Sequence, residues 1–371
     1  MKAVVLTFDR LPLHLLGCYG NLRSRTPNLD RLATESITFD LHFAEHVPAE
    51  ASCLSWWDGR YAFPKRDHQI PVKTLPAVLT SAGVETHLFR EFAATTSGLP
   101  VQDFSRSSIV GADDGTGEMP GFERLVNEAC RRIETLDRQS QWLLWLQSAG
   151  IRTTAEHVIS TQANAITALD EGIGRLRSAI DGLGRDEQFL FVVTAGQGGM
   201  PCYPAGASPH STRVAEPIVH TPLIVRITPA ENGSRRREFV QTVDLAPTLL
   251  EWFRLSLDLL PCDGRSLLPA VRHEAEAPRS YVCFGDGEGA GIRTEDFSVV
   301  LDHLNDAPTR HSPSPVTQGL HLYVKPEDPW EINDSLAQFP DQGAALIETL
   351  LRFVENGQRD SPIQIPNLIK G

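Results

Sequence analysis

The sequence predicts an α/β sandwich on a mostly parallel central sheet, followed by a small C-terminal α+β subdomain, and three observations carry that prediction. Short apolar runs of the kind buried on both faces of a parallel sheet recur at residues 3–8, 84–89, 141–147, 189–194 and 222–227. Helical stretches separate them, which is the alternation of an α/β layer structure. From about residue 279 the texture changes to short strand candidates broken by Gly, Asp and Pro. The expected organisation is therefore a main domain over 1–278 and a subdomain over 279–371 holding a small antiparallel sheet and a terminal helix.

Taken in order, the first run leads from Met1 through Phe8 to Asp9 and lacks the charged head, long apolar stretch and cleavage site of a secretory leader, so none is expected. Thr26-Pro27 is a good helix start, a capping residue followed by a proline whose missing N–H costs nothing in the first turn. A long helix is expected over 154–183, where Ile166, Leu169, Ile173, Leu176, Ile180 and Leu183 recur at steps of 3 and 4 and give one apolar face. Another begins near Asp244. In the subdomain, strands are expected at 280–284, 297–303 and 321–324, and an amphipathic helix over 338–355. The stretches 113–121 and 305–318 read as solvated loops.

With 34 Lys and Arg against 47 Asp and Glu, the formal net charge is -13. That argues against sequence-independent nucleic-acid binding, which needs a dense cationic field. No segment approaches the roughly 18 consecutive apolar residues of a membrane span. The six cysteines show no CxxC or CxxH spacing, so no zinc site is expected and reduced thiols in a cytoplasmic setting are the default.

Several segments resemble, in order, those of the sulfatase family of the alkaline phosphatase superfamily. The opening run to Asp9, Leu16-Gly-Cys-Tyr-Gly-Asn21 and Thr26-Pro-Asn-Leu-Asp-Arg-Leu-Ala33 are similar to its N-terminal signature. Gly59-Arg-Tyr61 resembles the end of its nucleophile-bearing helix, Thr74-Leu75 through Ala82-Gly83 the helix before its second strand, and Ala168-Leu-Asp-Glu-Gly-Ile-Gly174 its long central helix. Thr221-Pro-Leu-Ile-Val225, Val243-Asp-Leu-Ala-Pro-Thr-Leu-Leu250, Gly264-Arg-Ser-Leu-Leu-Pro269, and Leu322-Tyr323 with Glu327-Asp-Pro-Trp-Glu331 extend the likeness over nearly the whole chain. The resemblance implies an alkaline-phosphatase-like sandwich. Chemistry is a separate matter, because it lives in site residues rather than in the fold.

Ester hydrolysis of this kind needs a nucleophile, a divalent cation and basic groups around the transferring oxygens. The family's nucleophile motif, Cys-x-Pro-x-Arg or its Ser form, falls on Ala49-Glu50-Ala51-Ser52-Cys53, which puts Ala49 at the nucleophile position and Cys53 at the motif arginine. The two adjacent acidic residues after the first strand read Asp9-Arg10, and the later Asp-His-Gly or Asp-Asn-Gly turn reads Gly196-Gln197-Gly198. The resemblance implies calcium, yet this set is far from six to eight oxygen ligands, so no metal or other cofactor is expected. The Lys-x-His position reads Glu91-Phe92-Ala93, the His after strand 143–147 is missing, and the later Lys position falls near Ser211, beside His210 and Arg213.

The same residues have blander and sharper readings. Asp9 is most simply a strand-end acceptor of loop N–H bonds. Arg10 invites the hypothesis that its guanidinium stands in for the cation, paired with Asp9 or Glu91. Ser52 and Cys53 are candidates for a relocated nucleophile near a helix N-terminus, although Trp56 and Trp57 directly after them read as a packed helix. His46, His210 and His220 stand singly, and the glycines at 196–199 lack the lysine and spacing of a phosphate loop.

The functional expectation is a sulfatase-like pseudoenzyme whose residual pocket (Asp9, Arg10, Glu50, Glu91, Gln197, His210, Arg213) serves binding, or which acts as a partner subunit in a homo- or hetero-oligomer. The partner would be a protein or a small anion, with neither nucleic acid nor membrane involved. The alternatives are a sulfuric or phosphoric ester hydrolase with a rearranged site, and a small-anion binding module without chemistry.

Overall fold

The computed structural model of the chain describes residues 1–64, 73–94, 99–111, 121–151, 159–184, 187–200, 214–228, 233–272, 274, 279–304, 319–357, 363 and 365–369, with the side chains of 50 and 159–163 outside that description. The opening apolar run becomes strand β1 (Lys2–Arg10), buried from Lys2 through Asp9. In chain order there follow α1 (Pro27–Thr34), β2 (Ile37–Phe43), α2 (Ala49–Asp58), α3 (Leu75–Ser81), β3 (Glu85–Glu91), β4 (Arg106–Val110), α4 (Gly121–Thr135), β5 (Trp142–Gly150), α5 (Ile159–Asp181) and β6 (Phe189–Ala195). The main domain closes with α6 (Glu216–Val219), β7 (Leu223–Thr228), β8 (Ser234–Gln241), α7 (Leu245–Trp252) and α8 (Leu268–Val271). Then come β9 (Tyr281–Gly285), β10 (Ala290–Thr294), β11 (Phe297–Leu301), β12 (Leu320–Val324) and α9 (Pro340–Gly357).

Eight strands form one sheet in the order β4-β3-β5-β1-β6-β7-β2-β8. It is parallel except for β7, which runs against both β6 and β2. The other four form an antiparallel meander, β12-β11-β10-β9, between residues 281 and 324. The expected α/β architecture is therefore the one observed. The expected run at 222–227 is β7, the one reversed strand of the large sheet.

Alternation along the central strands divides the core into two layers. On one face Ala3 and Val5 of β1, Leu143 and Trp145 of β5, and Leu190 and Val192 of β6 pack under α2, α3, α7 and α8. On the other, Val4, Leu6 and Phe8 of β1 and Leu144 and Leu146 of β5 meet α1, α4 and α5. The helical stripe read from the sequence, Ile166 through Leu183, lies in that second layer.

Four strands carried no apolar run in the sequence. β2 interrupts its apolar residues with Asp40 and His42, and β10 is short and contains a glycine. The edge strands β4 and β8 are polar, β8 holding Arg235, Arg236 and Arg237 in succession, as edges that must not pair with other chains commonly are. Gly121, expected in a loop, opens α4; the rest of that loop, the stretch 305–318, and the start of the long helix at 154–158 lie outside the described residues.

The two sheets share a buried polar junction. Asp244, fully buried, accepts both guanidinium nitrogens of Arg279 at 2.5 and 2.6 Å and the backbone N–H groups of Gln241 and Arg265 at 2.8 Å each. The Gln241 amide donates to the Cys283 carbonyl of β9 at 2.9 Å and accepts from the Tyr61 hydroxyl at 3.1 Å. Nearby, Glu45 passes from β2 toward α2 with its carbonyl bound to the Gly285 N–H at 3.0 Å. Its carboxyl is fully buried and neither oxygen has a hydrogen-bond partner among the described residues, the Ser55 hydroxyl being turned to the Ala51 carbonyl at 3.3 Å. Burial pushes its pKa up to about 8.

Two outcomes follow. Asp244→Asn leaves the buried Arg279 charge uncompensated and is expected to lower unfolding stability by about 3–5 kcal/mol in urea titrations. For Glu45 the folded pKa lies above the unfolded one, so the fold keeps a proton that the unfolded chain releases as pH rises between 4.5 and about 8. Stability of the parent chain relative to Glu45→Gln should therefore fall across that window by about 1.4 kcal/mol per pH unit and level off above it, in denaturation measured from pH 4 to 9.

Candidate functional site

The apolar face under α2 ends in a polar row. Alternation carries it from Val5, Leu88, Trp145 and Val192 to Thr7 and Asp9 of β1, Arg90 of β3, Gln147 of β5 and Thr194 of β6, all buried. The Gln147 amide spans the row, donating to Asp9 Oδ1 at 3.1 Å and reaching Cys53 Sγ at 3.3 Å. Thr7 Oγ1 accepts the Trp145 indole N–H at 3.1 Å and donates to the Leu146 carbonyl at 3.2 Å. Thr194 Oγ1 has no hydrogen-bond partner among the described residues. Burial depresses the pKa of the Arg90 guanidinium and the charge of Asp9 acts against that, so the two interact electrostatically across Gln147.

Helix α2 roofs the row. Trp57 meets Trp145 edge-on at 5.9 Å and Phe104 at 5.1 Å, and Trp56 lies 6.4 Å from Trp145, so the helix is packed as its paired tryptophans suggested. Its first turn presses on the strand end at Gly196: a Cβ there would stand 3.2 Å from Ser52 Cβ, 3.3 Å from Trp56 Cη2 and 3.4 Å from Ala49 Cβ. Ala49, which the resemblance puts at the family's nucleophile position, thus abuts the turn after β6. Ser52 is fully buried and its hydroxyl is directed at the Gly196 and His46 carbonyls, at 3.1 and 3.2 Å. Cys53 is buried against the Gln147 amide. Neither meets a general base in these contacts, which a hydroxyl or thiol nucleophile needs.

The remaining sequence candidates separate. Asp9 and Arg10 are neighbours in a strand and point to opposite faces. Arg10 donates to Gln197 Oε1 at 3.4 Å, and among the described residues it forms no ion pair with Asp9 or Glu91, which corrects the expected pairing. Glu91 likewise leaves the row: it accepts from the Ser148 hydroxyl at 2.7 Å and the Ala149 N–H at 3.1 Å. It sits at the start of α4, where a Cβ on Gly121 would come within 2.5 Å of Glu91 Oε1. Arg90 shares Asp9's face and was not among the sequence candidates, which took its neighbour Glu91; the alternation Leu88-Phe89-Arg90-Glu91 carries the signal. The Glu50 side chain, His210 and Arg213 lie outside the described residues. His220 is at a distance from the row, bound to the Asp40 carbonyl at 2.7 Å.

The calcium that the resemblance implies does not fit this donor set. The row offers one carboxylate, already accepting an amide N–H, with a guanidinium in electrostatic contact. Among the described residues no group of three or more His, Cys, Asp and Glu is placed to hold a metal ion, and no helix is long and apolar enough to cross a membrane.

Comparison with known proteins adds lineage to this geometry. A family model described as Sulfatase matches residues 120–255. That stretch runs from α4 through α7 and excludes β1, α2 and β3, the elements that carry Asp9, Ala49 and Arg90. The chain is 29% identical to steryl-sulfatase of Homo sapiens over 107 residues, 29% of this chain and 16% of that protein. It is 23% identical to human N-sulphoglucosamine sulphohydrolase over 330 residues, covering 70% of this chain and 63% of the relative, so it spans less than two thirds of either. Among solved structures it resembles a protein in complex with its substrate D-glucosamine-2-N,6-O-disulfate, with a TM-score of 0.72 and 17% identity over 94% of this chain and 96% of the other. It also resembles phosphonate monoester hydrolase of Agrobacterium radiobacter, with a TM-score of 0.67 and 16% identity over 94% of each. At these identities the structural likeness is one of fold.

Proposed function

Since the chain belongs to the sulfatase family of the alkaline phosphatase superfamily, we propose that it is a non-catalytic member, acting through binding as a partner subunit or as a receptor for a small anion. The observation that carries this reading is the row itself. Ala49, which the resemblance puts at the nucleophile position, has its methyl packed toward Gly196, and Asp9, which it puts at the metal position, is tied to an amide and interacts with Arg90. Stable sulfate and phosphate esters demand a barrier reduction of up to roughly 20 kcal/mol or more, while a single lost oxyanion donor costs about 3–4 kcal/mol. Nucleophile and cation are altered together here, which leaves too little to supply that reduction. A cytoplasmic setting belongs to the same proposal.

The experiment is a turnover assay with 4-nitrophenyl sulfate and 4-nitrophenyl phosphate, with and without added calcium, manganese or zinc. The expected result is a rate equal to the no-protein control, unchanged by Ala49→Cys, which restores the side chain but not its surroundings. Turnover that disappears in Ser52→Ala or Cys53→Ala would establish a rearranged hydrolase instead. Sedimentation velocity over a range of concentrations tests the subunit form of the proposal, which expects reversible self-association or assembly with an active relative.

A further inference from the structure

A second cavity, of about 370 Å³, lies apart from the polar row, between the loop after β1, α6, β10 and the turn after β12. Its walls are apolar: Leu13, Leu41, Pro217, Pro329 and Trp330, with the His14 ring edge-on to Trp330 at 5.7 Å. Its floor is charged and buried. Glu216 Oε2 lies 2.7 Å from Lys325 Nζ and 3.0 Å from Arg293 Nε. Behind them Glu331 accepts the Glu216 N–H at 2.8 Å and stands 3.4 Å from Lys325 Nζ. Two acids face two bases, so the floor is close to neutral.

One pair in this floor is incomplete. His220 Nε2 is 2.7 Å from the Asp40 carbonyl, which can only accept, so Nε2 carries the ring proton. The ring stacks on Phe43 at 4.7 Å, and burial lowers its pKa, which keeps it neutral. Nδ1 is then a bare lone pair, 3.7 Å from Glu216 Oε1. Two acceptors face each other at the cavity floor, and a donor presented from the cavity would satisfy both. An ammonium group is disfavoured there by Lys325 and Arg293, and an anion by Glu216 and Glu331. The apolar walls favour a ring stacked or edge-packed on Trp330.

We propose that this cavity binds an uncharged aromatic compound carrying one N–H or O–H donor, its ring against Trp330 and its donor shared by His220 Nδ1 and Glu216 Oε1. The proposal is independent of whether the polar row is catalytic. It is tested by isothermal titration calorimetry of the full chain with indole, 1-methylindole and protonated tryptamine. Indole should bind saturably with one site per chain. 1-Methylindole, which lacks the donor, should bind at least about tenfold more weakly, and tryptamine more weakly than indole. Leu13→Trp, which fills the cavity, and Trp330→Ala, at a half-buried wall position, should each abolish detectable indole binding while circular dichroism shows the fold retained. No saturable binding of indole, equal affinity for 1-methylindole, or undiminished binding in both folded variants would overturn it.

Discussion

The carboxylate of Asp244 ties the large sheet to the second one. In a fully buried position it binds the Arg279 guanidinium through two bonds and caps the N–H groups of Gln241 and Arg265. Through Gln241 it is coupled to Tyr61, just beyond α2, and to Cys283 in the second sheet. The end of β8, the start of α7, the exit of α2 and the first strand of the second sheet are therefore fixed by one charge pair. Such a pair contributes little net stability over an apolar filling, yet losing one partner is costly, so it acts as a constraint on geometry. The placement of α2 over the strand ends, on which the site depends, inherits that constraint.

How much of this could be read in the residues depended on whether a segment was buried on both faces. β1, β5 and β6 are central and buried along nearly their whole length, and their apolar runs stand out. β8 and β4 lie at the sheet edges, where solvent permits Arg235 to Arg237 and Arg106 to Ser108, and no hydrophobic pattern is needed to specify them. At the site, the order of motifs drew attention to Ala49 and to Gly196, and the structure sets the two against each other. The facing of Arg90 was not legible, since counting along motifs does not say which strand residues share a face, and adjacent residues point to opposite faces. The same alternation separates Arg10 from Asp9, which adjacency in the sequence had joined.

The resulting picture is a sulfatase fold in which the Asp9 carboxylate of the polar row is held by the Gln147 amide. Gln147 donates to the Asp9 carboxylate, Arg90 on β3 interacts with it electrostatically, and Ala49 abuts the turn after β6. The family model matches the elements from α4 to α7, which include Gln147 and Thr194 of the row, and does not reach Asp9, Ala49 or Arg90. Scaffold and chemistry have separate physical requirements, burial for one and a set of unsatisfied, convergent charges for the other.

The central claim is that the row is closed to a divalent cation. It is tested most directly by elemental analysis of the purified chain after equilibration with calcium chloride and gel filtration. The account predicts far less than one equivalent of calcium, manganese or zinc per chain, and the same for Asp9→Ala. One tightly held equivalent in the parent chain, lost in Asp9→Ala, would contradict it.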